Sequence, residues 1–251
     1  MSTLVEITPP LQHGNPTEVT RQQIVHAALT AGRRHFGAAG ASLTHHVDNP
    51  NQPTEFSRGA IKAGIRGEQA TSQAIQKWMQ AHPSAVLIDS VHIKNNNTLL
   101  PDEDKPDTDH VLIIGNHVIL IDSKRWKSKQ KYSVNDKGTI LRNGRTFPGG
   151  KVHARQATYL WSKHLGGSVK VNSIVCISSS QVYAEYRKDW LKIGFQLVTL
   201  EQLTKALDYQ AKRIGSVNTI RTDLVATVAS SCIKPYMRFE EFFNKNANIT
   251  K

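Results

Sequence analysis

The sequence has few cysteines, no long apolar run and a minority of acidic residues. Its two cysteines, Cys176 and Cys232, lie in apolar segments without the spacing of a metal site, so we expect buried, reduced thiols in a cytoplasmic protein rather than a disulfide framework. No apolar run approaches the roughly 20 residues that a membrane-spanning helix needs. The N-terminal segment lacks the charged and apolar regions of a signal peptide, so we expect none.

Acidic residues are outnumbered: 20 Asp and Glu against 32 Lys and Arg give the 251 residues a formal net charge of +12. This surplus favours nucleic acid as a partner. An anionic membrane, or merely a soluble basic surface, fits the charge as well. We expect no membrane partner. The sequence contains no Gly-rich phosphate loop and no internal repeat. Its length suits one domain with appendages and is ample for a core.

The most informative stretch covers residues 107–126, where two β-branched runs flank Gly115 and Asn116. Gly-Asn between such runs predicts a hairpin with a two-residue loop. The numbers of facing residues then sum to 231, as 115 and 116 do, and Asp109 faces Asp122. Facing carboxylates destabilise a sheet, so a bound divalent cation such as Mg²⁺ is the simplest reason for the pair.

The same register sets Asp107 against Lys124, on the same face as the two acids. Asp107 would support the site, and Lys124 would hold a phosphate or an attacking water. Taken alone, the acidic motif at either end of the hairpin is more typical of a turn or of a strand end in solvent. Their coincidence across one hairpin favours a site, and a longer loop would shift the register and weaken that prediction.

Four stretches resemble the nuclease-related domain (NERD) family of the PD-(D/E)XK nuclease superfamily. They are residues 64–68, 107–115 and 118–124 and a later helix with Gln156. The resemblance covers about residues 58–205. It implies an α/β, restriction-endonuclease-like fold, in which helices flank a mixed central sheet, with helical N- and C-terminal additions.

The resemblance also implies metal-dependent hydrolysis of DNA phosphodiester bonds. Asp109 and Asp122 would hold Mg²⁺ or Mn²⁺ with Glu68 as a third acid, Lys124 would act on the water or the transition state, and Gln156 would orient Lys124 or a phosphate. Asp122 stands where many such nucleases have Glu, which keeps the charge but shortens its reach. The main alternative is a nucleic-acid-binding module with weak or no cleavage, and a third is a structural or assembly protein.

A helix is predicted over residues 58–80, with Glu68 on its apolar stripe. A carboxylate on a core-facing stripe is costly unless something pairs with it. Three arrangements are open for the Glu68 side chain. It lies at the edge of the stripe, it pairs with Arg58 or Arg66, or it points to the metal site. The resemblance favours the metal site.

A basic segment directly follows the predicted hairpin. Its Arg125, Trp126, Lys127 and Lys129 suit phosphate contact combined with base stacking, and a solvated loop explains them equally well. We therefore name these four residues as candidate nucleic-acid-binding residues.

The sequence predicts three parts of the chain: an N-terminal region 1–57, a nuclease-like domain 58–207 and a helical tail 208–251. Within the N-terminal region we expect a mobile arm to residue 16, a helix over 17–35 and then a linker. Strands are predicted over 85–93, 169–178 and 195–199, a loop over 94–106, a small hairpin within 135–147, and helices over 152–164, from 200 and over 223–232. The aromatic stripe at 237–243 is predicted to be core or a contact between copies of the chain.

Overall fold

A computed structural model describes residues 5–13, 15–41, 43, 57–92 and 107–232. The helices are α1 (Pro16–Thr30), α2 (Arg58–Met79), α3 (Ala154–Leu165), α4 (Trp190–Ile193), α5 (Leu200–Ile214) and α6 (Thr222–Cys232). The strands are β1 (Glu6–Ile7), β2 (His35–Phe36), β3 (Ala85–His92), β4 (Asp107–Ile114), β5 (His117–Lys124), β6 (Lys131–Val134), β7 (Ile140–Arg142), β8 (Lys170–Ile177), β9 (Tyr183–Ala184), β10 (Gln196–Thr199) and β11 (Thr219–Ile220).

Within these residues the centre of the molecule is a six-stranded sheet with the order β10-β8-β5-β4-β3-β2. Strands β3, β4 and β5 are antiparallel, while β8 and β10 run parallel to β5 and β2 runs parallel to β3. A smaller sheet, β7-β6-β9, takes two strands from the connection between β5 and β8 and one from the connection between β8 and β10. The predicted α/β fold with a mixed central sheet and flanking helices is confirmed.

Both faces of the central sheet are covered, because its strands carry apolar side chains on alternate sides. Helices α2 and α5 cover one face, with a core that includes Ile75, Leu87, Leu112, Ile121 and Leu207. Helices α1, α3 and α6 cover the other face, with a core that includes Val25, Ile88, Val118, Trp161 and Val225. No helix among the described residues is both long and apolar enough to cross a membrane.

The N-terminal segment is tied to the C-terminal part of the described chain. Strand β1 pairs in parallel with β11. The backbone N–H of Thr222 donates to Thr8 Oγ1 at 2.8 Å, and Thr222 Oγ1 donates to the carbonyl of Thr8 at 2.6 Å. The expectation of a mobile arm is therefore wrong here, because strand pairing and the start of α6 both hold this segment.

The first helix ends earlier than predicted. Gly32 has φ +84° and turns the chain after α1, so that His35–Phe36 pairs with β3 instead of extending the helix. The ring of Phe36 is fully buried, which anchors this short strand in the core. The predicted helix over 17–35 is thus correct only to Thr30.

The C-terminal boundary of the predicted domain, after residue 207, falls inside α5. The apolar stripe of that helix continues past this point, since Ala211 and Ile214 pack against the same core as Leu203 and Leu207. The predicted loop at 94–106, most of the linker before residue 57 and the aromatic stripe at 237–243 lie outside the described residues.

Candidate metal-dependent active site

The predicted hairpin is present in the predicted register. Gly115 and Asn116 form the turn between β4 and β5, and Gly115 has φ +55°. A positive φ at the first turn position only is what a type II′ hairpin turn requires, and glycine is the residue that adopts it readily. Five pairs, from Ile114 opposite His117 to His110 opposite Ile121, follow the register whose numbers sum to 231.

The two acids lie just beyond the last of these pairs. The ladder of described residues ends at His110 and Ile121, one position before Asp109 and Asp122. One carboxylate oxygen of Asp109 instead accepts a hydrogen bond from the backbone N–H of Ser123 at 2.7 Å. Asp109 is therefore tied to β5 by its side chain, next to the end of the ladder.

The predicted facing of Asp107 and Lys124 is not part of that ladder. Asp107 begins β4 and pairs with His92 of β3, and its side chain lies outside the described part of the structure. The Lys124 ammonium donates to Asp122 Oδ1 at 2.6 Å. The charge partner of Lys124 is therefore one of the candidate metal ligands.

A cavity of about 300 Å³ brings four of the predicted site residues together. Asp109 enters it from β4, Asp122 and Lys124 from β5, and Glu68 from the first half of α2. Its other walls include Leu43, Thr108, Leu120, Lys151, Val152, His153, Ala154, Ala157, Ser173 and Ile174. Residues far apart in the sequence therefore meet around one space that can take a small charged group.

The three carboxylates leave excess negative charge in this space. Burial, followed by the charges of Glu68 and Asp122, raises the pKa of Asp109 well above its usual range. Burial would lower the pKa of Lys124, but the charges of Asp122 and Asp109 outweigh it and raise that pKa above its ordinary value. Lys124 is thus a permanent cation at neutral pH, and one cation faces three acids.

Glu68 lies inside the protein and not at the edge of its helix, with 4% of its surface exposed. Its Oε2 accepts a hydrogen bond from the backbone N–H of Gly40 at 2.9 Å, and it forms no ion pair with Arg58 or Arg66 in the described structure. Burial raises the pKa of Glu68 to about 7, against the Gly40 hydrogen bond, which lowers it. Glu68 therefore points into the cavity, and within the described structure it neither lies at the edge of the helix nor pairs with an arginine of α2.

The donor set fits a hard divalent cation through two carboxylates, but a three-acid site is not assembled. Among the described residues no three His, Cys, Asp or Glu side chains are grouped so that they could hold a metal ion. Mg²⁺ typically uses one or two protein carboxylates and completes its shell with waters and phosphate oxygens. Asp109 and Asp122 match that pattern, and the uncompensated charge around them favours a cation.

Gln156 does not line the cavity. Its Oε1 lies 3.1 Å from Nδ1 of His153, so it orients His153 rather than Lys124. His153 and Lys151 do line the cavity, and neither was a candidate from the sequence. Their signal was weak: Lys151 lies between Gly150 and the predicted helix 152–164, and His153 lies in the first turn of that predicted helix.

The basic segment leaves β5 beside the cavity. Arg125, Lys127 and Lys129 are exposed, as contact with phosphate requires. Trp126 is half-buried, and its ring packs against Tyr132 and Phe147 with centroid distances of 5.2 and 5.1 Å. Trp126 therefore belongs to the small core under β6 and β7, while the three basic residues present their charges to solvent.

Comparison with known proteins finds a family match for the part of the chain that contains this site. Residues 63–178 match the family model described as the nuclease-related domain, NERD. No curated protein sequence matches the chain significantly. A crystal structure of protein VC1899 from Vibrio cholerae is similar over 79% of this chain, with 10% identity and a TM-score of 0.34. The matched region is 50% of that protein, so this chain spans half of its length.

Proposed function

We propose that the protein is a metal-dependent nuclease of the PD-(D/E)XK type that hydrolyses DNA phosphodiester bonds, because residues 63–178 match the family model described as the nuclease-related domain. The observation that carries the proposal is the meeting of Asp109, Asp122, Lys124 and Glu68 around one cavity. All four residues lie within the range 63–178 that matches the family model.

The chain's own residues have distinct roles in this proposal. Asp109 and Asp122 would hold Mg²⁺ or Mn²⁺, which would supply Lewis-acid polarisation of a phosphoryl oxygen and of a water molecule. Lys124 faces the negative charge that builds up in the transition state. Glu68, whose pKa is raised by burial, lines the same cavity and is the third acid of the proposed site.

The substrate is contacted by basic residues on two sides of the cavity. Arg125, Lys127 and Lys129 extend from the end of β5, while Lys151 and His153 line the wall before α3. Gln156 holds His153 in place. These five basic residues are positioned to contact the phosphates on either side of the scissile bond, which fits the net charge of +12.

The decisive experiment removes the lysine. Lys124→Ala should slow Mg²⁺-dependent plasmid degradation by about 10²-fold or more, since one lost electrostatic stabiliser typically has that effect. DNA binding in Ca²⁺, measured by fluorescence anisotropy, should change far less, because Lys124 acts mainly in the transition state. Lys124→Arg should not restore cleavage, because the planar guanidinium is larger than an ammonium.

Lys163→Ala is the matched control, since Lys163 is an exposed lysine in the last turn of α3 that does not line the cavity. An EDTA control should stop all cleavage. Normal cleavage by Lys124→Ala would refute the assignment of the site.

Two observations favour a second candidate, a module that binds nucleic acid without cutting it. Asp122 is already paired with Lys124 at 2.6 Å, and the third acid is not grouped with the other two as a metal site. If the wild-type protein binds DNA in Mg²⁺ and in Mn²⁺ but never cleaves it, this second function replaces the first.

A further inference from the structure

A buried chain of hydrogen bonds lies on the opposite face of the sheet from Asp109, under α2. Asp89 Oδ1 and His110 Nδ1 are 2.7 Å apart, and His110 Nε2 is 2.9 Å from Ser123 Oγ. Asp89 Oδ2 accepts from Ser72 Oγ at 2.6 Å and lies 2.8 Å from His35 Nε2. This hydrogen-bond network thus links α2 with four neighbouring strands, β2, β3, β4 and β5.

The central pair of this network is fully enclosed. Asp89 and His110 are both 0% exposed. Burial opposes the charge of Asp89, yet His110 and His35 hold the pKa of this carboxyl well below its usual range. Burial alone would lower the pKa of His110, but the charge and hydrogen bond of Asp89 raise it. A buried, fully hydrogen-bonded network of this kind fixes the positions of its members.

Ser123 connects this network to the acid pair. Its backbone N–H donates to the Asp109 carboxylate at 2.7 Å, and its hydroxyl contacts His110 at 2.9 Å. Asp109 and His110 are consecutive on β4, so they hold Ser123 from the two faces of the sheet. The regular ladder ends at His110 and Ile121. Beyond that pair, these two contacts take the place of ladder bonds and hold β5 against β4.

The order Ser123, His110, Asp89 also matches the constellation of a serine hydrolase. Ser123 does not line the cavity beside it, and its hydroxyl is directed to a histidine that is itself wholly buried. The geometry therefore suits holding a strand in place and not nucleophilic attack.

We propose that Asp89 and His110 are positioning residues for the metal-binding acids. Acting through Ser123, they fix the Asp109 carboxylate relative to Asp122 and so set the affinity of the pair for a divalent cation. This inference rests on the proposed function, since it assumes that the two acids bind metal. It adds residues of β3 and of the far face of β4 that have no contact with the cavity themselves.

The test is Mn²⁺ binding without substrate, measured from the electron paramagnetic resonance signal of free Mn²⁺. Removing a group that orients metal ligands typically weakens metal binding roughly 10- to 100-fold. The Kd for Mn²⁺ should rise by that factor in Ser123→Ala and in Asp89→Asn. Ser123→Ala deletes only the hydroxyl and keeps the backbone N–H that Asp109 needs. DNA affinity in EDTA should stay unchanged in Ser123→Ala.

Thr222→Val is the matched control, because it also removes a buried hydroxyl with a hydrogen bond, but at the start of α6. It should lower the melting temperature without changing the Kd for Mn²⁺. A purely structural network would give the same result in Ser123→Ala, and an unchanged Kd in that variant overturns the inference. If Asp89→Asn fails to fold by circular dichroism, Ser123→Ala decides alone.

The two proposals fail in different ways. If the wild-type protein binds no Mn²⁺, the proposed function fails and this inference fails with it. If the wild type binds Mn²⁺ and Ser123→Ala binds it equally well, only the positioning role is lost.

Discussion

Replacing Glu68 by glutamine tests the electrostatics of the cavity directly. Glutamine keeps the size of the side chain and an oxygen for the Gly40 N–H, but it cannot ionise. In the wild-type protein without metal, Glu68 must either keep its proton or carry a buried charge among other acids. The variant removes that conflict, so its effect on stability should depend on pH.

The structure gives the size and sign of this effect. The pKa of Glu68 rises from an ordinary 4.5 to about 7 on folding, so the folded protein keeps a proton that the unfolded chain releases. Each pH unit in that window lowers the free energy of unfolding by about 1.4 kcal/mol. The wild type should therefore lose about 3 kcal/mol between pH 4.5 and 7 from this group, and Glu68→Gln should lack this loss.

The assay is urea unfolding in EDTA at pH 4, 6 and 8, followed by tryptophan fluorescence. The difference in unfolding free energy between Glu68→Gln and wild type should shift in favour of the variant by about 3 kcal/mol from pH 4 to pH 8. Glu201→Gln, at an exposed glutamate in the first turn of α5, should leave the pH profile unchanged. Parallel profiles for Glu68→Gln and wild type would refute the reasoning.

Three further predictions concern other parts of the molecule. Changing Lys127 and Lys129 to alanine should flatten the slope of log affinity for duplex DNA against log salt by about 0.9 per lost phosphate contact; an unchanged slope would make the segment a solvated loop. Burial raises the pKa of the Cys176 thiol to about 12, so iodoacetamide at pH 8 should alkylate Cys176 only in the unfolded protein, as peptide mapping would show. Because Gln156 contacts His153, the double variant Gln156→Ala/His153→Ala should cleave as slowly as His153→Ala alone, and additive losses would contradict this coupling.

The hairpin and its acid pair were predictable because their signals are local. Gly115 and Asn116 mark the turn, the flanking β-branched runs mark the strands, and the predicted register holds as far as His110 and Ile121, directly before Asp109 and Asp122. The apolar stripe of α2 likewise placed Glu68 on the inside, as its 4% exposure shows. Periodicity and turn chemistry require only neighbouring residues.

What the sequence did not predict depends on contacts between distant segments. The partner of His35 is Asp89, 54 residues away, and no local pattern sets that distance. One signal was present: a single Asp in the apolar run 85–93, since an internal strand with a carboxylate needs buried partners. Lys151 and His153 reach the cavity only because the small sheet returns the chain to it.

The pairing of β1 with β11 also determines when the fold can be completed during synthesis. Thr8 and Ile220 are separated by 212 positions. At a typical rate of about 5–20 residues per second, the first strand leaves the ribosome roughly 10–40 s before its partner. The hairpin that carries Asp109 and Asp122 can pair much earlier, because its two strands are consecutive. The acids are therefore brought together on the growing chain while one face of their sheet still lacks the helix that begins at Thr222.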